Sequence, residues 1–240
     1  MALAGKKIVL VGGASGLGLA TARAARAQGA DVIVTSVSQQ QLREVMDKHG
    51  FKGGLLDVTR EDEVSAFFGD VGAFDHLAIS AGDPLKKTPF LKQTAEGARK
   101  DFEIRFWGAH CAVRHAAPNI RPGGSITLTS GLAGRRATPG IAVLGAVCGA
   151  VESLAQGLAV ELAPIRVNVV CPGVVDTGIW DALPDAARNG FYADTGKALP
   201  IGRVGRPEEL AEAYLYLMRN SFSTGAIVVA DGGGLHAGPH

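Results

Sequence analysis

Short apolar runs alternate with helix-like segments from one end of the chain to the other. The runs are mostly β-branched or aliphatic and cover residues 8–11, 32–35, 54–56, 76–79, 125–129, 167–170 and 226–229. Between them lie segments with helical periodicity, among them residues 17–28, 39–49, 98–117, 142–162 and 207–219. This alternation is typical of parallel strands joined by crossover helices, and uninterrupted apolar strands indicate burial on both faces. The pattern predicts a doubly wound, Rossmann-like α/β fold of about seven parallel strands with helices on both faces.

Length and composition indicate one globular domain. The 240 residues are at the upper end of what one core supports, and no repeat or linker divides them, so a single domain over residues 1–240 is expected. Hydrophobic residues make up 47% of the chain against 20% charged, which excludes disorder as the main state. The net charge of +1 creates no field for nucleic acid or an anionic membrane, which favours a small-molecule partner.

Neither a membrane span nor a targeting segment is predicted. The longest uncharged runs, residues 8–22 and 137–151, are shorter than the roughly 18 to 20 residues that a span needs. The first residues lack a charged leader followed by an apolar stretch and a small-residue cleavage site. We therefore expect a cytoplasmic protein.

The cysteines and histidines form no metal-binding or disulfide pattern. Cys111, Cys148 and Cys171 are odd in number and make no C-x-x-C pair, so buried free thiols are expected. His110 and His115 are five apart on one predicted helix, and this spacing does not present both rings to one ion as a spacing of four would. No metal site is predicted.

A glycine-rich turn follows the first strand and opens directly into the first helix. Its glycines are Gly12, Gly16 and Gly18, in the spacing G-x-x-x-G-x-G, with Ser15 and Leu17 between them. Gly12 permits the tight turn, Gly16 lets backbone N–H groups approach a diphosphate, and Gly18 lets the helix pack on the sheet. The diphosphate of a dinucleotide would then lie at the positive end of the helix. A tight turn without a ligand is the alternative.

The end of the second strand bears on which dinucleotide is bound. Ser36, Val37 and Ser38 stand where NAD-binding folds carry the carboxylate that holds the ribose 2′-hydroxyl. Hydroxyl groups can donate to a 2′-phosphate, so NADP(H) is favoured over NAD(H), although no Arg or Lys lies between residues 31 and 41. Asp57, after the third strand, is interpreted either as an acceptor for the adenine amino group or as the cap of its own turn.

With these features placed, the chain resembles the short-chain dehydrogenase/reductase family over essentially its whole length. The matching segments are Leu56-Asp57-Val58, Ile79-Ser80-Ala81-Gly82, Ile165-Arg166-Val167-Asn168, Pro172-Gly173-Val174-Val175-Asp176-Thr177, Gly205-Arg206-Pro207-Glu208-Glu209-Leu210 and Val229-Ala230-Asp231-Gly232-Gly233. The resemblance implies further cofactor contacts, and these are Asp57, Val58, Ser80, Ala81, Gly82, Pro172, Gly173, Val175 and Thr177.

The family's catalytic residues are replaced. In the family a Tyr donates a proton, a Lys four residues later lowers its pKa, a Ser orients the carbonyl and an Asn supports a proton relay. An ungapped match places Leu144 at the Tyr position, Cys148 at the Lys position, Gly131 at the Ser position and Arg105 at the Asn position. Residues 101–196 contain no lysine and only one tyrosine, Tyr192, so no shifted pair restores the mechanism.

Other side chains are candidates for the missing roles. Ser130 neighbours the lost serine, and Arg105 or the pair Arg135-Arg136 could bind a substrate carbonyl or carboxylate, against the alternative of surface charges. Residues 173–205 form a long irregular stretch, which predicts a substrate lid. Its aromatic residues and Leu144 predict an apolar pocket.

Three functions follow from this pattern. The first is a divergent NADP(H)-linked oxidoreductase acting on a small carbonyl, alcohol or enoyl compound, because the cofactor itself supplies the hydride chemistry. The second is a dinucleotide-binding sensor or partner subunit without turnover, and the third is lyase or isomerase chemistry in the same pocket. Apolar and small residues on several faces of the segments 98–117 and 142–162 predict a homodimer or homotetramer.

Overall fold

The computed structural model describes residues 3–85 and 87–237, which form one sheet of seven parallel strands in the order β3-β2-β1-β4-β5-β6-β7. The strands are β1 Lys7–Val11, β2 Asp31–Ser36, β3 Lys52–Leu55, β4 Phe74–Ile79, β5 Ile120–Thr129, β6 Arg166–Pro172 and β7 Ile227–Ala230. All seven coincide with predicted runs. The doubly wound, Rossmann-like fold is therefore confirmed.

The α-helices cover both faces of this sheet and contribute two buried apolar layers. They are α1 Gly16–Ala27, α2 Gln39–His49, α3 Glu61–Val71, α4 Ala95–Phe102, α5 Ala109–Ala116, α6 Ala142–Glu161, α7 Asp185–Ala198 and α8 Pro207–Arg219. One layer is packed under α1, α2 and α8, and the other under α3, α5 and α6. The strands between the layers are buried on both faces, which explains their continuous apolar sequence.

The order of the strands creates the site. From β1 the chain builds β2 and β3 on one side, then returns to place β4 on the other side of β1. The carboxyl ends of β1 and β4 therefore meet where the winding direction reverses, and ligands of open α/β sheets bind at that edge. The glycine turn follows β1 there, and Ser80, Ala81 and Gly82 follow β4.

The segment predicted as one helix, 98–117, contains a break. It consists of α4 and α5 joined by a π-helical turn, Glu103–Gly108. Gly108 makes the turn possible, because a Cβ there would lie 2.5 Å from Val58 Cγ2. Such turns are frequent at functional sites, and this one carries Arg105.

The prediction of an irregular stretch over 173–205 was wrong in part. It contains a short 3-10 turn, Gly178–Trp180, and the helix α7. The helical signal of α7 is weak because Gly190 and Gly196 lie inside it and lower its intrinsic propensity. Tertiary packing supports it instead, since a Cβ at Gly196 would be 3.0 Å from Arg203 Cα.

Among the described residues one helix, α6, is long and apolar enough to cross a membrane by length and composition alone. Its inward stripe carries Glu152, whose carboxylate pairs with the Arg135 guanidinium at 2.9 Å. This stripe packs on β6, while small and apolar residues on the opposite face remain exposed. The expectation of no membrane association stays a prediction.

Candidate active site

In the glycine turn after β1, the backbone lies in close contact with the backbone that follows β4. Gly12 has φ +81°, and a Cβ there would lie 2.7 Å from the backbone nitrogen of Ala81. A Cβ at Gly18 would lie 2.2 Å from the Gly12 carbonyl oxygen. The Ser80 hydroxyl donates to that same oxygen at 3.3 Å, which ties the ends of β1 and β4 together. The turn itself therefore requires Gly12 and Gly18.

Gly16 leaves the start of α1 open. Its φ is +48°, and a Cβ would meet only Thr177 Cβ, at an ordinary contact distance of 3.5 Å. Ser15 is exposed and its side chain makes no capping hydrogen bond to the first turn, while Leu17 is half-buried behind it. Uncapped N–H groups and the positive helix end are what a diphosphate needs. The residues of this turn therefore fit a dinucleotide.

The two serines after β2 are engaged in starting α2. Ser36 Oγ accepts from the backbone N–H of Ser38 at 3.1 Å, and Ser38 Oγ accepts from that of Gln41 at 3.3 Å. Val37 projects into solvent with 74% of its surface exposed. The edge of the predicted ribose site thus consists of hydroxyl groups and a helix N-terminus, without a carboxylate between residues 36 and 38.

Asp57 caps its own turn. One carboxylate oxygen accepts from the backbone N–H of Thr59 at 2.9 Å and from its hydroxyl at 2.7 Å. Val58 is buried against the π-helical turn. Of the two interpretations of Asp57, these contacts support the cap, and the adenine contact of this segment stays a prediction.

The segment after β6 lies over the glycine turn. Pro172 ends the strand, and a Cβ at Gly173 would lie 2.7 Å from Asp231 Cα, so only glycine fits there. Val175 is buried, and its carbonyl accepts from the Trp180 indole N–H at 3.0 Å. Thr177 lies next to Gly16 of the glycine turn. The segment therefore closes the cleft in which the nicotinamide end of a dinucleotide is predicted.

The four positions that the resemblance matches to the family's catalytic residues lie near one another. A Cβ at Gly131 would lie 3.3 Å from Cys148 Sγ. Arg105 and Leu144 line one cleft, and the Arg105 guanidinium lies near the Cys148 thiol. Burial raises the pKa of Cys148, against the opposing effect of Arg105, so this thiol stays protonated at neutral pH.

Arg105 reaches across the cleft to the end of β4. A Cβ on Gly82 would lie 2.5 Å from Arg105 Nη1, and Arg105 Nη2 donates to the carbonyl oxygen of Asp83. Burial lowers the pKa of Arg105, whereas Cys148 and Asp83 act in the opposite direction. A guanidinium remains protonated in proteins, so a fixed positive charge stands beside Cys148.

The cleft beside Leu144 is polar, which corrects the prediction of an apolar pocket. Its lining side chains, besides Arg105 and Leu144, include Asp83, Thr88, Gln93 and Asp101. These residues come from the loop after β4 and from α4, whereas the prediction considered only α6 and the lid. The signal that identifies Asp83 is its position directly after Ala81-Gly82, at the carboxyl end of a central strand, whereas Thr88, Gln93 and Asp101 carry no such signal.

Ser130 does not face the cleft. Its hydroxyl donates to Glu152 Oε1 at 2.8 Å, and Arg135 Nε donates to the same oxygen at 3.1 Å. Ser130 and Glu152 are buried, while Arg136 donates to the carbonyl oxygen of Gly234. The buried Glu152 carboxylate thus engages Ser130 and Arg135, and none of the three candidates lines the cleft of Arg105 and Leu144. Their role toward a substrate stays a prediction.

The aromatic residues of the predicted lid pack on each other. The rings of Trp180 and Phe191 are 4.7 Å apart, and those of Phe191 and Tyr192 are 5.9 Å apart. The Tyr192 hydroxyl is buried without a hydrogen-bond partner among the described residues. Burial and the neighbouring Asp176 raise its pKa to about 12. These contacts give the predicted lid a packed aromatic cluster of its own.

Comparison with known proteins gives the same assignment over nearly the whole chain. Residues 12–235 match the family model described as enoyl-(acyl carrier protein) reductase. The short-chain dehydrogenase/reductase ATR9 of Stachybotrys chlorohalonatus is 33% identical over 247 residues, covering 95% of this chain and 96% of the relative.

Solved structures agree with the sequence comparison. A small-chain dehydrogenase in complex with NADPH superposes with a TM-score of 0.86 at 32% identity, covering 97% of this chain and 100% of that one. The MalC reductase/Diels-Alderase of Malbranchea aurantiaca superposes with a TM-score of 0.90 at 28% identity, covering 97% of this chain and 96% of that one.

Proposed function

The chain belongs to the short-chain dehydrogenase/reductase family, and from that premise we propose that it is an NADP(H)-dependent oxidoreductase with an altered proton-transfer site. Its substrate class is a small carbonyl, alcohol or enoyl compound. The bound nicotinamide supplies or accepts the hydride. The glycine turn, the end of β4 and the segment after β6 hold and orient it.

The observation that carries this proposal is the position of Arg105. Its guanidinium stands at Gly82, beside Cys148 and in the same cleft as Leu144. A fixed cation there stabilises negative charge that develops on a substrate oxygen during hydride transfer. Without a tyrosine, the proton comes from water or from a side chain of the polar cleft. Loss of a general acid costs about 10²- to 10⁴-fold in rate, so we expect a slow enzyme or an activated substrate.

Three features support NADP(H) over NAD(H). No carboxylate stands between residues 36 and 38 to repel a 2′-phosphate. The N-terminus of α2 points its positive end toward the same edge of the sheet. A relative 32% identical to this chain forms a complex with NADPH.

The experiment is a titration with NADPH and NADH followed by a screen of carbonyl and enoyl compounds for oxidation of NADPH. Arg105→Leu should lower kcat/KM by roughly 10- to 100-fold, the value of one hydrogen bond to a charged group, with little change in NADPH affinity. Arg105→Lys, which keeps the charge, is the matched control and should retain part of the activity. Turnover that is unchanged in Arg105→Leu would contradict the role of Arg105.

A second candidate is a dinucleotide-binding sensor or partner subunit. The observation that favours it is that Leu144 and Gly131 carry no hydroxyl group where the family has two. Tight NADPH binding with no turnover on any compound would support this candidate. A relative named as both reductase and Diels-Alderase supports the third alternative, non-redox chemistry in the same cleft.

We also propose that the protein forms a homodimer or homotetramer through α5 and α6. An apolar groove between them is lined by Val113, Leu158 and Leu162, and Val160 is 78% exposed. Gly157→Arg should yield monomers in sedimentation, because a Cβ there meets nothing within 4 Å and the fold tolerates it. Gly190→Arg, equally open but on α7, is the control and should leave the oligomer intact.

A further inference from the structure

Three side chains with metal-binding atoms converge where α3 begins beside α5. His115 Nε2 lies 2.9 Å from Glu61 Oε1, and Cys111 offers its thiol to the same space. One ligand atom from each of the three lies within 4.8 Å of the other two. This convergence is separate from the cofactor cleft, with which it shares no residue.

The fold creates the cluster from two elements. Cys111 and His115 are four residues apart on α5, so both side chains lie on one face of the helix. Glu61 is the first residue of α3, which packs against α5. On its own helix His115 shares a face with Cys111, four residues before it, and not with His110, which is five residues before it.

We propose that Glu61, Cys111 and His115 bind one zinc ion, with a fourth coordination position left to water. A thiolate, an imidazole and a carboxylate are all ligands that Zn²⁺ takes in proteins. Mg²⁺ and Ca²⁺ prefer sets made only of oxygen atoms, so the thiol and the imidazole disfavour both ions.

The geometry requires only a small adjustment. Tetrahedral zinc with its usual bond lengths places ligand atoms about 3.3 to 3.5 Å apart. The histidine and carboxylate atoms would therefore separate by about half an ångström, and no pair would have to close by more than about 1.3 Å. The Glu61 side chain is 61% exposed and free to make this movement, while Cys111 and His115 are fixed by the helix.

Nearby charges both favour and oppose the binding of Zn²⁺ at this site. Zn²⁺ is neutralised by one thiolate and one carboxylate, so the bound complex leaves no net charge at the helix surface. Arg114 opposes the ion, because its Nη1 lies 3.7 Å from Glu61 Oε1. That side chain also borders the groove between α5 and α6, so its charge stays close to the site. Replacing it should therefore strengthen metal binding.

The test uses the full-length protein, reduced and freed of metal, titrated with Co²⁺ as a spectroscopic substitute and then with Zn²⁺. The expected result is one Co²⁺ per chain, with a sulfur-to-cobalt charge-transfer band that Zn²⁺ abolishes. Cys111→Ser should remove this band, and His115→Gln or Glu61→Gln should weaken binding by more than the roughly tenfold that loss of an outer-shell partner costs. Arg114→Gln should bind more tightly than the wild type.

Cys148→Ser is the matched control, since it removes a buried thiol from another part of the chain. It should leave the charge-transfer band unchanged. Circular dichroism checks that each variant is folded, and two independent ligand variants keep the test valid if one is not. A Co²⁺ spectrum without a sulfur band, or one that persists in folded Cys111→Ser, would overturn the proposal.

Discussion

The two halves of the cleft differ in the groups that they offer to a bound dinucleotide and its substrate. Around the glycine turn, the features needed to hold a dinucleotide are present, and Gly12 and Gly18 are fixed by backbone contacts below 3 Å. On the other side, positions 131, 144 and 148 carry small or apolar residues, and a guanidinium occupies the space between. Cofactor binding depends on backbone shape, which few sequences satisfy, whereas proton transfer depends on single side chains.

The largest expected effect comes from rebuilding the family's catalytic residues. The variant Leu144→Tyr, Cys148→Lys, Gly131→Ser and Arg105→Asn adds volume where a Cβ at Gly131 is already 3.3 Å from Cys148 Sγ. It also places an ammonium in a buried position. We expect a loss of about 4 kcal/mol or more in unfolding free energy and no ketone reduction.

Urea unfolding and an assay with NADPH measure the two effects. A well-folded quadruple variant that reduces ordinary ketones would contradict this expectation. It would show that the backbone around these four positions still accommodates the family's catalytic side chains.

A substitution at Gly16 should impair cofactor binding while leaving the fold intact. Gly16→Val puts a side chain where the diphosphate approaches, yet a Cβ there touches only Thr177 at 3.5 Å. We expect NADPH affinity to fall at least about 100-fold, or about 3 kcal/mol, with some backbone strain from the positive φ. Gly18→Val is the comparison, since its Cβ would meet backbone at 2.2 Å and should unfold the turn itself. Isothermal titration and thermal melting measure both, and normal NADPH binding by Gly16→Val would refute the site.

Protonation of His76, which lies in the central sheet, should make the stability of the fold depend on pH. This buried ring lies 2.9 Å from the Ser125 hydroxyl, and burial followed by Arg166 lowers its pKa from 6.5 to about 4, with Lys6 acting in the same direction and Asp75 against it. In the unfolded chain His76 therefore becomes protonated below about pH 6.5, whereas in the folded chain it stays neutral until the pH falls to about 4. Unfolding free energy should fall by about 3 kcal/mol as the pH drops through this window.

Chemical denaturation at several pH values checks this expectation. His76→Asn, whose amide can replace Nδ1, should show a flatter dependence on pH between about 4 and 6.5. An equal slope in the variant and the wild type would assign the effect to other groups.

The smallest expected effect concerns the cofactor's 2′-position. Val37→Asp introduces a carboxylate on an exposed side chain at the end of β2. Repulsion of a 2′-phosphate should lower NADPH affinity by about tenfold, and NADH affinity should hold or rise. Val37→Asn, of equal size and neutral, is the control. An equal loss of affinity for NADPH and NADH would mean that this edge does not contact the 2′-phosphate.

The sequence by itself determined the frame of this protein. Apolar runs identified all seven strands, and periodicity with end signals placed α2 and α8 with the bounds that the structure has. The position of the glycine turn also followed from spacing along the chain, whereas Arg105 was identified through the resemblance to the family. These features are local, since strand and helix patterns and tight turns are set by residues close together in sequence.

Only the tertiary structure decided where the polar side chains point. Ser130 turns to the buried Glu152, Asp83 and Asp101 make the cleft polar, and His115 meets Glu61 from a distant helix. Helix α7 likewise forms despite two glycines. Each depends on contacts between elements far apart in sequence, and the free energy of such contacts is fixed by packing and burial rather than by periodicity.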